Sequence, residues 1–284
     1  LQNNSIWYYL PMIIDSHTHV SKILNSRFDK SYEEILEMLL LEMKRAGVDR
    51  SLVIAGLERE GGFNPTTKTL VGLIKGKSEF KAIAGLDVLQ YTADDLSALE
   101  GWLADKSVVG IKLYTGYQHF YPNDERCTPI YKLCQKYNAP VIFHSGDVLA
   151  GYVKNPKIKY SQPILIDDIA TDFPELKIVI AHMGNPWLVD CAEVLYKNPN
   201  VYADISGLIV GDNFDTPYGI MMLQKTKELI SYVGSDFGQF KLIYGTDWPL
   251  CPMDVYLKFV KKLGLTKEQE DKLVFGNAQT VFGL

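Results

Sequence analysis

The chain contains five histidines, and four of them stand where a short apolar run meets a polar loop. His17 and His19 lie two positions apart in Ile13-Ile14-Asp15-Ser16-His17-Thr18-His19; His144 follows Pro140-Val141-Ile142-Phe143, and His182 follows Ile178-Val179-Ile180-Ala181. Side chains at i and i+2 of an extended segment share a face, so His17 and His19 can present two imidazoles to one cation. Asp247, at the end of the run in Tyr244-Gly245-Thr246-Asp247-Trp248-Pro249, adds a carboxylate. Alone, each has a bland reading: a packed neutral histidine, or a turn or helix-cap aspartate. Arriving together on four run ends, His17, His19, His144, His182 and Asp247 read as ligands of a divalent metal.

Further residues extend the chemistry. A carboxylate at the metal can take a proton from water, which makes Asp247 the candidate base; His182 is either a ligand or a proton-transfer group. Lys112 interrupts the apolar run Val108-Val109-Gly110-Ile111-Lys112-Leu113-Tyr114. A lysine there is costly unless it is carboxylated and bridges metals, pairs with a substrate carboxylate, or snorkels to the rim. We place it with Asp247 and His182 as catalytic. Asp15 reads as a support for the ligands rather than one of them. His119, in a loop, reads as solvated, and Cys127, Cys134 and Cys191 as packing. Arg126, Lys154 and Lys159 are candidate partners for an anionic substrate. Tyr114, Tyr117, Phe120, Trp187 and Trp248 are candidate pocket walls.

The elements that must position these groups follow from the same runs. Eight short β-branched runs start at Met12, Ser51, Ala82, Val108, Pro140, Lys177, Val201 and Leu242. They recur about every 33 residues, the size of a βαβ unit. Helical spacing fills the intervals: Tyr32 to Ala46 with Gly47 as stop, Ala93 to Leu103, Pro129 to Tyr137, and a segment from Asp167 ending before Pro174. Strands buried on both faces and alternating with helices predict a (β/α)8 barrel, whose active site lies at the C-terminal ends of the strands. An open doubly wound sheet is the rival, but no GxGxxG or GxxxxGK[ST] follows any run.

Composition narrows the function. Of 284 residues, 29 are Lys or Arg and 34 Asp or Glu, a net charge of −5 with no basic run, which argues against nucleic acid and anionic membranes. No apolar run approaches the ~20 residues of a membrane span. Four cysteines without a CxxC suit a reduced, cytoplasmic protein. Residues 1–11 have neither a basic start nor a small-residue cleavage site and read as an upstream extension; residues 12–284 read as one domain.

The ordered set HxH, Lys112, His144, His182 and Asp247, together with Gly110-Ile111-Lys112-Leu113, Ile180-Ala181-His182-Met183-Gly184 and the ending Gly276-Asn277-Ala278-Gln279-Thr280-Val281-Phe282-Gly283-Leu284, resembles the amidohydrolase superfamily. Within it, the chain resembles the amidohydrolase-2, or aminocarboxymuconate-semialdehyde decarboxylase-like, branch over Met12 to Leu284. The resemblance implies a distorted (β/α)8 TIM barrel with one or two divalent ions, zinc foremost, and a possible homodimer. In single-metal relatives the ligands would fall on His17, His19, His144 and Asp247, with His182 catalytic. In two-metal relatives Lys112 would be carboxylated, and His144 and His182 would hold the second ion. Tyr114 departs from the pattern, since relatives often carry histidine there. The expected activity is metal-dependent hydrolysis of a small amide, lactone or ester of an organic acid. The alternatives are non-oxidative decarboxylation or hydration of an aromatic or muconate-like acid, and a barrel that holds metal without catalysis.

Overall fold

The computed structural model describes residues 12–22, 30–57, 63–149, 151–233 and 240–284. The proposed extension, residues 1–11, lies outside the described residues. Eight parallel strands pair in sequence order: β1 Ile14–Thr18, β2 Arg50–Ile54, β3 Phe80–Gly85, β4 Val108–Leu113, β5 Val141–Phe143, β6 Ile178–Ile180, β7 Val201–Asp204 and β8 Leu242–Ile243. Between and after them run α1 Tyr32–Ala46, α2 Thr67–Ile74, α3 Ala93–Ala104, α4 Thr128–Tyr137, α5 Ile166–Asp172, α6 Leu188–Lys197, α7 Pro217–Val233, α8 Met253–Lys262, α9 Lys267–Asp271 and α10 Asn277–Phe282. This is the expected (β/α)8 barrel, and all four helices read from periodicity are present within a residue or two.

Local chemistry sets the boundaries. Ser31 and Glu34 form a reciprocal capping box at the start of α1, and Gly47, left-handed at φ 74°, ends it. Thr92 and Asp95 form the same box on α3. The strands are buried almost throughout, which accounts for their continuous apolar runs.

The last strand returns to the first. Ser16 N–H donates to the Tyr244 carbonyl at 3.0 Å, Asp247 N–H to that of His17 at 2.8 Å, and His19 N–H to that of Trp248 at 2.8 Å. The buried Asp15 carboxylate reinforces this seam, accepting from Thr246 N at 3.1 Å and Thr246 Oγ1 at 2.6 Å. Asp15 therefore supports the site from behind.

Two strands carry an extra residue. Along β1, Asp15 pairs with Ser51 but Thr18 with Val53; along β4, Val108 pairs with Ala82 but Ile111 with Ala84. Such bulges reset the in–out alternation of a strand. Ile14 and Val109 pack in the barrel interior, and three residues further on His17 and Lys112 also face inward, lining the cavity. Strict alternation would have turned both outward.

The opposite end of the barrel is filled. Ala278, Val281 and Phe282 of α10 join Ile14, Leu52, Ile83, Val109, Ile142, Val179 and Ile243 in one buried cluster. Asn277 Nδ2 secures α10 by donating to the carbonyls of Phe240 and Leu242 at 2.9 and 2.8 Å. Among the described residues no helix is long and apolar enough to cross a membrane.

Candidate metal centre and cavity

The strand ends converge on a cavity of about 310 Å³ whose walls include His17, His19, Lys112, His144, His182 and Asp247. His17, His19 and Asp247 form one group whose ligand atoms lie within 4.8 Å of one another. Asp247 Oδ1 lies 3.2 Å from His19 Nε2 and 3.7 Å from His17 Nε2. Its backbone is left-handed at φ 60°. The carboxylate contacts imidazoles rather than a helix end, so the turn-and-cap reading does not describe it.

The organiser of the centre is Asp204, at the end of β7, which the sequence reading did not single out. It closes the seventh apolar run just as the histidines close theirs, and that placement was the available signal. Its Oδ2 accepts from His17 Nδ1 at 2.9 Å. Its Oδ1 accepts from the backbone N–H of His182 at 2.9 Å and of Ser206 at 3.1 Å, and from Ser206 Oγ. A carboxylate only accepts, so the proton of His17 sits on Nδ1 and its lone pair on Nε2. His182 Nδ1 lies 2.9 Å from Ser206 Oγ and 3.2 Å from the Ser206 carbonyl. The carbonyl requires a donor, which leaves His182 Nε2 unprotonated for the cavity. His182, His17 and Asp204 form a second group with ligand atoms within 4.8 Å. His144 stands outside both groups. Its ring centroid is 5.1 Å from that of His182, and its Nε2 bonds the Asp147 carbonyl at 2.8 Å, so Nδ1 is its remaining nitrogen.

Several buried atoms in this centre lack a hydrogen-bond partner: His17 Nε2, His19 Nδ1 and Lys112 Nζ. Orphaned polar atoms at such depth are rare and point to a missing ligand. For His17 Nε2, aimed beside a carboxylate and a second imidazole, a divalent cation satisfies the atom, and two nitrogens with one oxygen suit zinc, manganese or iron. Gly207 keeps the space: at φ +65°, a Cβ there would lie 3.0 Å from His182 Nδ1 and 3.3 Å from Asp247 Oδ2. Lys112 Nζ does not reach the rim, which removes the snorkelling reading; its nearest described aromatic partner is the Tyr114 ring at 5.9 Å.

Electrostatics follow burial. Burial, helped by the Lys112 charge, lowers the His17 pKa to about 3, and burial also lowers those of His144 and His182. All three imidazoles are neutral near pH 7, the form that ligates. Burial lowers Lys112 to about 8 against the pull of Asp204 and Asp247. Burial alone would raise Asp204 and Asp247, but the surrounding histidines hold both well below the ordinary carboxylate range.

Two predictions arise here. As pH falls below about 6.5, the unfolded chain protonates histidines that the metal-free fold keeps neutral, so the unfolded state binds more protons and stability falls. His17 loses up to about 1.4 kcal/mol per pH unit down to about pH 3, with His144 and His182 adding in the same direction. Asp204 and Asp247 contribute only below about pH 4, whereas Asp15, raised to about 7 by burial, opposes the three histidines over the same range without cancelling them. Calorimetry of metal-free protein should show Tm dropping between pH 7 and 5; a flat profile would mean that the imidazoles are already charged in the fold. The second concerns Asp204→Asn. Asparagine keeps an oxygen for the two backbone N–H groups and turns its amide toward His17, which moves the His17 proton onto Nε2. Metal affinity, measured by chelator competition, should fall roughly 10–100-fold; a change within twofold would refute the role of Asp204.

Other expectations are corrected. Arg126 is paired with Asp124 through two contacts of 2.8 and 2.6 Å, and neither it, Lys154 nor Lys159 lines the cavity. Of the expected aromatic walls, Tyr114 and Tyr117 line the cavity, whereas Phe120 and Trp248 are core residues and Trp187 lies outside the lining. The Tyr114 hydroxyl is engaged by the Ala55 carbonyl. His119 bonds the Asn155 carbonyl at 2.7 Å and stacks on Tyr160. Asn64, Asp147, Tyr152, Asn185 and Tyr218 complete the walls without having been foreseen.

Known proteins share this architecture. The chain is 26% identical over 120 residues to a γ-resorcylate decarboxylase of Polaromonas sp. strain JS666, a stretch covering 39% of this chain and 36% of that protein. A TIM-barrel protein of Bordetella bronchiseptica superposes with a TM-score of 0.73 at 20% identity, covering 96% of this chain and 98% of that one. A probable 2-pyrone-4,6-dicarboxylic acid hydrolase of Acinetobacter baumannii, with citric acid bound, superposes at 0.66 and 18% identity, covering 96% and 99%. A zinc-bound amidohydrolase of Burkholderia multivorans does so at 0.66 and 17%, covering 96% and 99%. These likenesses establish the fold. The sequence model of the amidohydrolase family, whose members are metal-dependent enzymes, matches residues 14–284, and this chain belongs to that family.

Proposed function

We propose that the protein is a metal-dependent hydrolase of a small amide, lactone or ester of an organic acid. The observation that carries the reading is the orphaned His17 Nε2, aimed by Asp204 toward Asp247 and His19 in the wall of an open cavity. His17, His19 and Asp247 would hold the cation, with His144 and His182 adjoining. Zinc suits the nitrogen-rich set and is the ion in the Burkholderia amidohydrolase. Such an ion supplies Lewis acidity, polarising a carbonyl and easing deprotonation of water.

The chain's own side chains do the rest. Asp247, ionised at neutral pH, orients the attacking water and accepts its proton. His182, neutral and presenting Nε2, relays a proton toward the leaving group. Lys112, buried without a hydrogen-bond partner, pairs with a carboxylate of the substrate. A cavity of about 310 Å³ beside the centre favours catalysis over a closed, structural metal.

Decarboxylation of an aromatic acid is the second reading, favoured by the likeness to γ-resorcylate decarboxylase. Lys112 would again hold the carboxylate, and His182 Nε2 would take a proton from water and pass it to the ring carbon as the carbon–carboxylate bond breaks and carbon dioxide leaves. The test is a screen of zinc-loaded protein with organic-acid amides, lactones and esters, run beside a carbon dioxide assay on aromatic acids. Hydrolysis that a chelator abolishes is the expected result. Carbon dioxide release without hydrolysis would establish the second reading, and metal retention with neither activity would support a non-catalytic barrel.

A further inference from the structure

Asp147 is the second carboxylate of the cavity wall, and nothing in the proposed chemistry uses it. It is pinned at three points. Its N–H donates to the Asn185 carbonyl at 2.7 Å, its carbonyl accepts from His144 Nε2 at 2.8 Å, and its Oδ2 accepts from Asn185 Nδ2 at 3.0 Å. The two loops that carry it are in close contact: a Cβ on Gly146, at φ +87°, would fall 2.0 Å from the Asn185 carbonyl oxygen. A surface aspartate can swing away from an incoming ligand. Asp147 is exposed toward the mouth, yet its Oδ2 is tied to Asn185, so swinging away would break that bond, and its Oδ1 remains an acceptor.

The other charges of the wall are few. Among the described lining residues Lys112 is the only lysine and there is no arginine; the carboxylates are Asp147 and Asp247. The Asp147–Asn185 pair continues to Tyr218, whose hydroxyl accepts from Asn185 Nδ2 at 3.3 Å and keeps its own proton to donate. Tyr117 likewise accepts from Leu149 N–H at 2.8 Å and retains a donor. This part of the wall therefore offers neutral donors and one fixed anionic acceptor. A hydroxyl or amine on the substrate satisfies it. A second carboxylate would face a like charge that the bond to Asn185 holds in place.

We propose that Asp147 is a specificity-determining residue: it restricts the cavity to acids with a single carboxylate, held by Lys112, and selects a neutral hydrogen-bond donor at the Asn185 side. The inference rests on the organic-acid reading above, and it separates this chain from a fold relative named for a dicarboxylic acid.

Titration calorimetry on the zinc-loaded protein tests it with matched probes: 3- and 4-hydroxybenzoate against benzene-1,3- and benzene-1,4-dicarboxylate. The wild-type protein should bind the hydroxybenzoates about tenfold or more tighter than the dicarboxylates. Asp147→Asn, which keeps the shape and the contact with Asn185, should bring the two classes within about threefold, mainly by improving the dicarboxylates. Lys112→Met should weaken both classes. Equal wild-type affinities would overturn the selection and leave the organic-acid reading intact, a result that needs no variant to fold. A preference that survives Asp147→Asn in a protein of unchanged Tm would overturn the assignment to Asp147. Failure of the wild-type protein to bind any probe would overturn the organic-acid reading and this inference with it.

Discussion

Replacing Asp247 with asparagine is expected to lower kcat by roughly 10²–10⁴-fold, the usual contribution of a general acid–base step, with metal content and Tm close to wild type. The substitution suits the site for a backbone reason. Asp247 is left-handed at φ 60°, and asparagine tolerates that conformation better than almost any residue but glycine. The backbone bonds that fix the position, Asp247 N–H to the His17 carbonyl and Leu250 N–H to the Asp247 carbonyl, are indifferent to the change. Asparagine also keeps an oxygen facing His19. What it loses is the capacity to accept a proton. A helix-capping aspartate would behave in the opposite way, costing about 1 kcal/mol of stability and leaving turnover alone. Full turnover with a lowered melting point would therefore show that Asp247 is a structural residue.

The double variant His17→Ala, His19→Ala should lose its metal altogether. Wild-type protein purified without chelator is expected to carry ~1 or 2 equivalents of zinc by elemental analysis. The variant removes two of the three side chains that would hold the cation, and Asp247 with the adjoining His144 and His182 does not reproduce that group. Loss of the imidazole at 17 also strips Asp204 of its Nδ1–H donor, although Asp204 keeps two backbone donors and the Ser206 hydroxyl, so the loop after β7 should hold. Circular dichroism checks that the barrel survives. Metal content equal to wild type in a folded variant would sink the ligand assignment.

Much of this could be read from the residues. The eight apolar runs mark the eight strands because a strand covered on both faces needs no polar alternation. The site histidines and Asp247 stand out because polar groups are conspicuous at the ends of such runs. Two kinds of information were missing. The bulges in β1 and β4 leave no trace in an apolar run, yet they decide that His17 and Lys112 face inward along with Ile14 and Val109. The walls of the cavity were the other gap. Asn64, Asp147, Tyr152, Asn185 and Tyr218 come from three loops and a helix start, where side-chain direction depends on contacts between loops distant in sequence, such as Asn64 Nδ2 to the Tyr152 hydroxyl at 3.0 Å. Phe120 and Trp248 were misplaced for the same reason: aromatic residues near strand ends serve the core as readily as the mouth.

The packing of α10 against the strand starts has a consequence for traffic. Ala278, Val281 and Phe282 leave the chamber blind-ended, so among the described residues it has a single doorway, at the mouth. Whatever is made inside must depart by the route along which the next reactant arrives. Occupancy is then mutually exclusive, and a product that retains the carboxylate would act as a competitor for entry, raising apparent KM without touching kcat.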